Sequence, residues 1–493
     1  MKRRYLLAID QGTTGNHVAI LDDRLRIVGT SYREFRQIFP KPGWVEHDLD
    51  EIWKSVELCV ASGLRAARIR PAQIAGIGIA NQRETTGLWD RATAKPIHRA
   101  IVWQDRRTAS HCLELKQKGE EPRVRDSTGL VLDPYFSGTK LSWLLKNVKG
   151  ARRRAEAGEL CFGTLDTWLI YKLTGGRSHA TDTSNASRTL LMNLHTLSWD
   201  ASLCAMLEVP PQILPAIRGS ADLYGETRGL RTLPDGIPVA GVAGDQQAAL
   251  FGQTCFSAGE AKCTYGTGAF LLLNTGRAPI RSTSGLLTTV AWTLLGETTY
   301  ALEGSAFVAG AAVQWLRDGL GLIKRSADVE RLAGTVRESG EVVFVPALSG
   351  LGAPHWRPEA RGLFTGLDRS TTAGHLARAV LEGIAFQVRD LAEAMQKDAG
   401  KSIASLKVDG GASSNDLLMQ FQADILGTEV IRPKNLQTTG LGAALLAGLG
   451  TGVWQNLEEI RSVWRSDRVY KSRMSAADRA RHVERWQRAL ERA

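Results

Sequence analysis

Ile9-Asp10-Gln11-Gly12-Thr13-Thr14 places a carboxylate, a glycine and two hydroxyls at the end of a short apolar run, Tyr5 to Ile9. A second apolar run, Val18 to Leu21, leaves immediately afterwards. A turn of this composition can cradle a phosphate, because glycine lets the backbone approach and the threonines offer N–H and O–H donors. Asp10 adds the oxygen ligand that a hydrated magnesium ion prefers. The same residues also make a plain hairpin turn, so the reading depends on its context.

A second acid stands at a strand end in Gly241-Val242-Ala243-Gly244-Asp245-Gln246-Gln247-Ala248. In a partly dry cleft such a carboxylate can take a proton from a hydroxyl nucleophile, help worth ~10²–10⁴-fold; the rival reading is a helix N-cap aspartate. Pairing with Asp10 favours catalysis. Arg83 and Glu84, after the run Ile74 to Ile79, offer a donor fork and an acceptor pair suited to the neighbouring hydroxyls of a small polyol. A surface ion pair has the same letters. Tyr135, in the loop opening the helix of Lys140 and Trp143, reads as a ligand contact or a core tyrosine, and Trp103 reads more readily as core than as pocket wall. Asp409-Gly410-Gly411 allows a base or ribose to lie against the backbone, with Asn415 holding the turn or capping the next helix. Gly400-Lys401-Ser402 is no P-loop, since Met395 occupies the first glycine position. Glu46-His47-Asp48 reads as the end of a loop before a helix near Asp50 rather than as a metal cluster.

The elements that position these residues alternate strands with helices. Strands are expected at Tyr5–Ile9, Val18–Leu21, Ile74–Ile79 and Ile237–Val242, and helices at Asp50–Ala67 and Lys140–Lys146. Lys262 to Gly268 followed by Ala269 to Leu273 repeats the opening pattern of strand, Gly/Thr turn and strand. That echo predicts two related α/β domains, 1–252 and 253–493, sharing a cleft. A terminal helix is expected from Ser475, with Val483, Trp486 and Leu490 on one face. At 493 residues the chain exceeds a single core. Its net charge of +11 is dispersed among acids, which argues against nucleic acid. The basic start Met1–Arg4 is followed by too short an apolar stretch for a signal peptide, and there is no apolar run of about 18 residues, so a cytoplasmic protein without membrane insertion is expected. The six cysteines are scattered and read as free thiols.

Taken in order, these stretches resemble the FGGY carbohydrate-kinase family from Tyr5 to about Trp454, and within it the members that act on glycerol. The carriers are Ala8–Thr14, Asn81–Thr85, Asp133–Lys140, Gly244–Leu250, Tyr265–Gly268, Gln314–Asp318, Gly350–Pro354 and Asp409–Gly411. Tyr135-x-Ser137-x-x-Lys140-Leu141-x-Trp143, and Gly366-Leu367 followed by His375 and Ala379–Glu382, resemble the family's two signatures. The resemblance implies two actin-like ATPase (ribonuclease H-like) α/β domains flanking a central nucleotide cleft. It implies ATP-dependent phosphorylation of glycerol to sn-glycerol 3-phosphate, with Mg2+ as cofactor and a homo-oligomer, dimer or tetramer, as the assembly. By position, Arg83, Glu84, Tyr135, Asp245 and Gln246 would hold glycerol, with Trp103 and Phe270 against its carbon edge. Asp245 would be the base, Asp10 and Asp245 the metal carboxylates, and Thr13, Thr14, Gly15, His17, Thr267, Gly310, Gln314, Gly411 and Asn415 the nucleotide contacts.

The family commonly has Ser-Ser-Arg where this chain has Gly15-Asn16-His17. Imidazole is shorter than guanidinium and only partly charged near neutral pH, which weakens one phosphate clamp. The loop that binds fructose 1,6-bisphosphate in some members is not recognisable in Gly225 to Asp235, and the histidine phosphorylated in others is missing there. Two rivals stand beside the leading reading: a family kinase for another small polyol or sugar, and a non-catalytic nucleotide or polyol sensor. His17 alone supports the sensor; Asp10 and Asp245 oppose it.

Overall fold

The computed structural model describes residues 5–493, so the basic start Met1–Arg4 lies outside the described residues. Two mixed sheets organise it. The first contains β1 (Tyr5–Gln11), β2 (Gly15–Asp22), β3 (Ile27–Glu34), β4 (Ile74–Asn81), β5 (Gly225–Glu226) and β6 (Pro238–Gly244), in the order β5-β6-β4-β1-β2-β3. The second contains β7 (Ala261–Tyr265), β8 (Ala269–Gly276), β9 (Leu287–Leu294), β10 (Glu297–Ala306), β11 (Ser405–Asp409), β12 (Glu429–Pro433) and β13 (Ser466–Tyr470), in the order β9-β10-β8-β7-β11-β12-β13.

Apart from the additional edge strand β9, the second sheet repeats the six strands of the first. β3-β2-β1 is an antiparallel meander, β1-β4-β6 is parallel, and β5 closes the edge antiparallel. β10-β8-β7, then β7-β11-β12, then β13 follow the same senses. The tight turns Gly12–Thr14 and Gly266–Gly268 therefore occupy equivalent places, which is the echo heard in the sequence. Parallel neighbours need a crossover, and α1 (Leu49–Ala67) supplies it between β3 and β4. Its first turn is capped by Asp48, whose carboxylate accepts the amides of Asp50 and Glu51. Glu46-His47-Asp48 is thus a strand end and a cap, and Glu46 is paired with Arg107.

Helices α2 (Ser137–Asn147) and α3 (Asp245–Gly252) belong to the first half; α4 (Gly310–Asp318), α5 (Ala373–Ala399), α6 (Asp416–Leu426), α7 (Thr438–Gly450) and α8 (Ala476–Glu491) belong to the second. α2 begins three residues before Lys140, the expected start, because the Lys140 ammonium folds back to the carbonyls of Pro134, Tyr135 and Phe136 and fastens the preceding loop. α8 starts at its Ser475 cap and buries Trp486 completely, with Val483 and Leu490 against the same core.

The Gly/Ala-rich α7 crosses back to cover the first sheet. A Cβ on Gly78 would lie 2.0 Å from the Ala443 carbonyl oxygen, and one on Gly241 2.2 Å from the Ala447 nitrogen. Such contact requires glycine. One apolar cluster accordingly joins Leu6, Ala8, Ala80 and Ala243 to Leu272, Trp292 and Leu441–Ala447, tying the two sheets together. Among the described residues no helix is long and apolar enough to cross a membrane, and all six cysteines are free and buried.

Candidate active site

Parallel strands β1, β4 and β6 end together. Their register aligns Asp10, Ala80 and Ala243 in one row and Gln11, Asn81 and Gly244 in the next. Ligands in open α/β sheets sit beyond such ends. Asp245 follows as the first residue of α3; its Oδ1 accepts the Gln246 amide (2.7 Å) and lies 3.2 Å from Arg83 Nε. Its carboxylate stays partly open to the cleft while Arg83 is buried. Burial first, and the charge of Asp245 second, push the Asp10 carboxyl up to about 7. Two carboxylates close enough for the charge of one to raise the pKa of the other favour an added cation. Among the described residues no three His, Cys, Asp or Glu side chains gather as a metal site. The pair therefore fits a hard ion that draws its other oxygens from phosphate and water.

Arg83 does not present its fork to the cleft, as its letters suggested. Both Nη atoms are turned onto Glu303 of β10, with Nη2 also 3.4 Å from the Tyr135 hydroxyl. What faces Asp245 is the Nε edge. Glu84 is held by Arg188, whose Nε donates to its Oε1 (2.7 Å), and its backbone sits at φ +61°. That conformation costs a non-glycine residue about 1–3 kcal/mol and persists only where its surroundings impose it. Neither residue is part of a surface ion pair: both are buried. Trp103 is half-buried and walls the cleft, donating Nε1–H to Thr13 Oγ1 (3.0 Å) and meeting the Tyr135 ring edge-on at 5.6 Å. Its residue type alone favoured the core, while the family resemblance put it at the pocket; its indole N–H finds a partner in the turn Gly12–Thr14. Phe270 is paired across the second sheet with Ser305 and shares a face with Glu303. Gln246 receives the buried Lys262 ammonium on its Oε1, and Lys262 also reaches Thr264 Oγ1 (2.9 Å).

The nucleotide candidates lie at turns. Gly12 N–H closes on Gly15 O (2.9 Å), and Gly266 N–H on Gly268 O (2.9 Å). Gly310 packs on the second turn, its N–H bonding Gly266 O (2.9 Å), so Thr267, Gly310 and the exposed Gln314 of α4 are neighbours. Gly410, at φ +84°, lets the chain pass close over Tyr265, while Gly411 beside it faces open space. Asn415 caps α6 by accepting the Leu418 amide (2.9 Å). Thr14 is exposed at the tip of its turn, and Gly15 packs under Tyr32. His17 stands opposite Asp10 in the β1–β2 register, but its Nε2 is bonded to Thr30 Oγ1 (2.6 Å), and burial lowers its pKa.

Three charged residues escaped sequence reasoning: Arg188, Lys262 and Glu303. They carry no motif. Their signal is a charge at an inward position of an apolar segment, as in Tyr300-Ala301-Leu302-Glu303-Gly304 and Ala261-Lys262-Cys263.

Comparison with known proteins places this geometry. The model of the FGGY family of carbohydrate kinases, N-terminal domain, matches residues 5–252, and the model of its C-terminal domain matches 261–451. A glycerol kinase of Myxococcus xanthus is 66% identical over all of both chains. One of Bdellovibrio bacteriovorus is 55% identical over 99% of each. The crystal structure of Plasmodium falciparum glycerol kinase with ADP superposes with a TM-score of 0.94 at 38% identity, covering 99% of this chain and 98% of that one.

Proposed function

The chain belongs to the FGGY family of carbohydrate kinases, and from that premise we propose that its cleft transfers the terminal phosphoryl group of ATP to glycerol. The observation that carries this reading is the meeting of Asp10, Asp245 and the Arg83–Glu84 pair at the ends of three parallel strands. Asp245 is the base: partly open, held by Arg83, it accepts the proton of the attacking hydroxyl. Arg83, Glu84, Tyr135 and Gln246 orient the remaining hydroxyls, and Trp103 and Phe270 cover the carbon edge, which sets the product as sn-glycerol 3-phosphate. Bound magnesium supplies charge neutralisation to the phosphates, and Asp10 and Asp245 are the carboxylates that would hold it. Thr13, Thr14, Gly15 and His17 border the terminal phosphates; Thr267, Gly310, Gln314, Gly411 and Asn415 line the remainder of the nucleotide's path. Phosphoryl transfer demands mainly positioning and charge compensation, which is what these groups offer. Six unpaired thiols suit a cytoplasmic setting.

A coupled ADP-release assay with glycerol against C3 to C6 polyols and ketoses tests the reading. Glycerol should give the highest kcat/KM. No acceptor-dependent ADP release from any of them refutes it.

A further inference from the structure

Arg83, Glu84, Arg188 and Glu303 form a closed, alternating ring of charge, each almost wholly shielded from water. Three of the four belong to the first half of the chain, while Glu303 reaches across from β10 of the second sheet. Its carboxylate takes both Nη atoms of Arg83 and, at 2.9 Å, Nη2 of Arg188. Although burial pushes Glu303 up, Arg188 and Arg83 hold it down at about 2, so it stays ionised at any working pH. Arg188 in turn holds Glu84 by Nε, and its guanidinium lies against the rings of Phe136 and Tyr135.

We propose that Glu303 and Arg188 are positioning residues for the acceptor: Glu303 sets the guanidinium plane of Arg83, and Arg188 sets the carboxylate of Glu84. This rests on the phosphoryl-transfer reading above and deepens it. Two features carry it. First, Arg83 spends its fork on Glu303, so the edge it turns to Asp245 is decided by a residue of the other sheet. Second, Glu84 occupies a left-handed conformation that only its bonded surroundings maintain, and the sole charged partner within hydrogen-bonding distance of its carboxylate, among the described residues, is Arg188. The charged wall of the acceptor pocket is thus made by first-half side chains, and one of them, Arg83, takes its aim from the second half. Nucleotide contacts expected on the second half are not in the ring, so damage to it falls on the acceptor.

The test compares wild type, Glu303→Gln and Arg188→Lys by steady-state kinetics with glycerol and ATP varied separately. Glutamine keeps the shape of Glu303 but removes its charge; lysine keeps the charge of Arg188 but bonds only one carboxylate well. Both variants should raise KM for glycerol by about tenfold or more, while KM for ATP stays within about twofold. Arg188→Met should be worse than Arg188→Lys. A merely structural role would lower the active fraction, and with it kcat, and leave both KM values alone. Where Glu303→Gln yields no folded protein, Arg188→Lys carries the same comparison. Equal movement of both KM values, or of neither, overturns the proposal provided wild type shows glycerol-dependent ADP release; absence of that release in wild type would instead sink the function itself.

Discussion

Replacing Asp10 by asparagine in metal-free protein isolates the charge that the cleft holds in reserve. Burial, then Asp245, push the Asp10 carboxyl from 3.8 to about 7. A native pKa above the unfolded one means the folded chain binds the extra proton. The stability this lends is fully present below 3.8 and is lost as pH rises through about 7. At about 1.36 kcal/mol per pKa unit, that gap corresponds to about 4 kcal/mol at most. Asp10 is itself only half-buried and Asp245 is partly open, so water lowers both the cost of burial and the repulsion and brings the expected effect to about 1–3 kcal/mol. Asparagine has nearly the same shape and no charge at any pH. The variant's advantage in Tm should therefore grow as pH rises from about 4 through about 7 and be largest, at several degrees, near about pH 8, the variant melting higher. Millimolar magnesium should raise the parent's Tm at the higher pH and leave Asp10→Asn unmoved. Thermal melts at about pH 4 and about pH 8, with chelator and with magnesium, measure this directly. A variant no more stable than the parent at the higher pH, or equally more stable at both, would refute the reasoning. The same substitution should abolish most of the kinase activity, so a stabilised protein with poor turnover is the expected phenotype.

Asp245→Asn should lower kcat by ~10²–10⁴-fold with KM for ATP nearly unchanged in the ADP-release assay, and an unchanged kcat removes its role as base. His17→Arg should raise kcat or lower KM for ATP, because a guanidinium extends beyond the position where Thr30 now tethers the imidazole; if neither parameter moves, the missing arginine does not matter here. Gly442→Ala would put a Cβ 1.8 Å from the Ala248 carbonyl oxygen. It should cost about 1–3 kcal/mol or prevent folding, read as a drop in Tm; an unaltered Tm would show that α7 and α3 give way freely.

Much of this was legible in the chain because local chemistry and fold coincide. Asp10 through Thr14 carried a strand into a turn, Gly12–Thr14, and the repeat at Thr264 to Gly268 announced a second sheet of related plan. Strands β1, β4 and β6 were expected within two residues of their ends, since apolar runs closed by Gly, Asn or Asp leave little choice. What stayed hidden depends on distance along the chain. Arg83 meets Glu303 across 220 residues and Glu84 meets Arg188 across 104, and no spacing rule relates them. The orientation of Arg83 followed from those partners, so its fork was assigned to the substrate when it belongs to Glu303. The residues around Trp103 left core and pocket wall both open for a related reason: its indole finds Thr13 across 90 residues. His17 could be recognised as unusual but not as bonded to Thr30, which sits diagonally across the β2–β3 pairing.

The return of α7 to the first sheet bears on how this protein is made. Leu6, Ala8, Ala80 and Ala243 form a face whose cover, Leu441 to Ala447, begins 198 residues after Ala243. Until that cover is made the first half carries an exposed apolar sheet face, held open by glycines that accept no substitute packing. Its synthesis cannot proceed as two independent folding events, one half finishing before the other begins. The apolar face of the first half is buried only once α7 has been made, and apolar surface exposed in that interval is where folding intermediates aggregate.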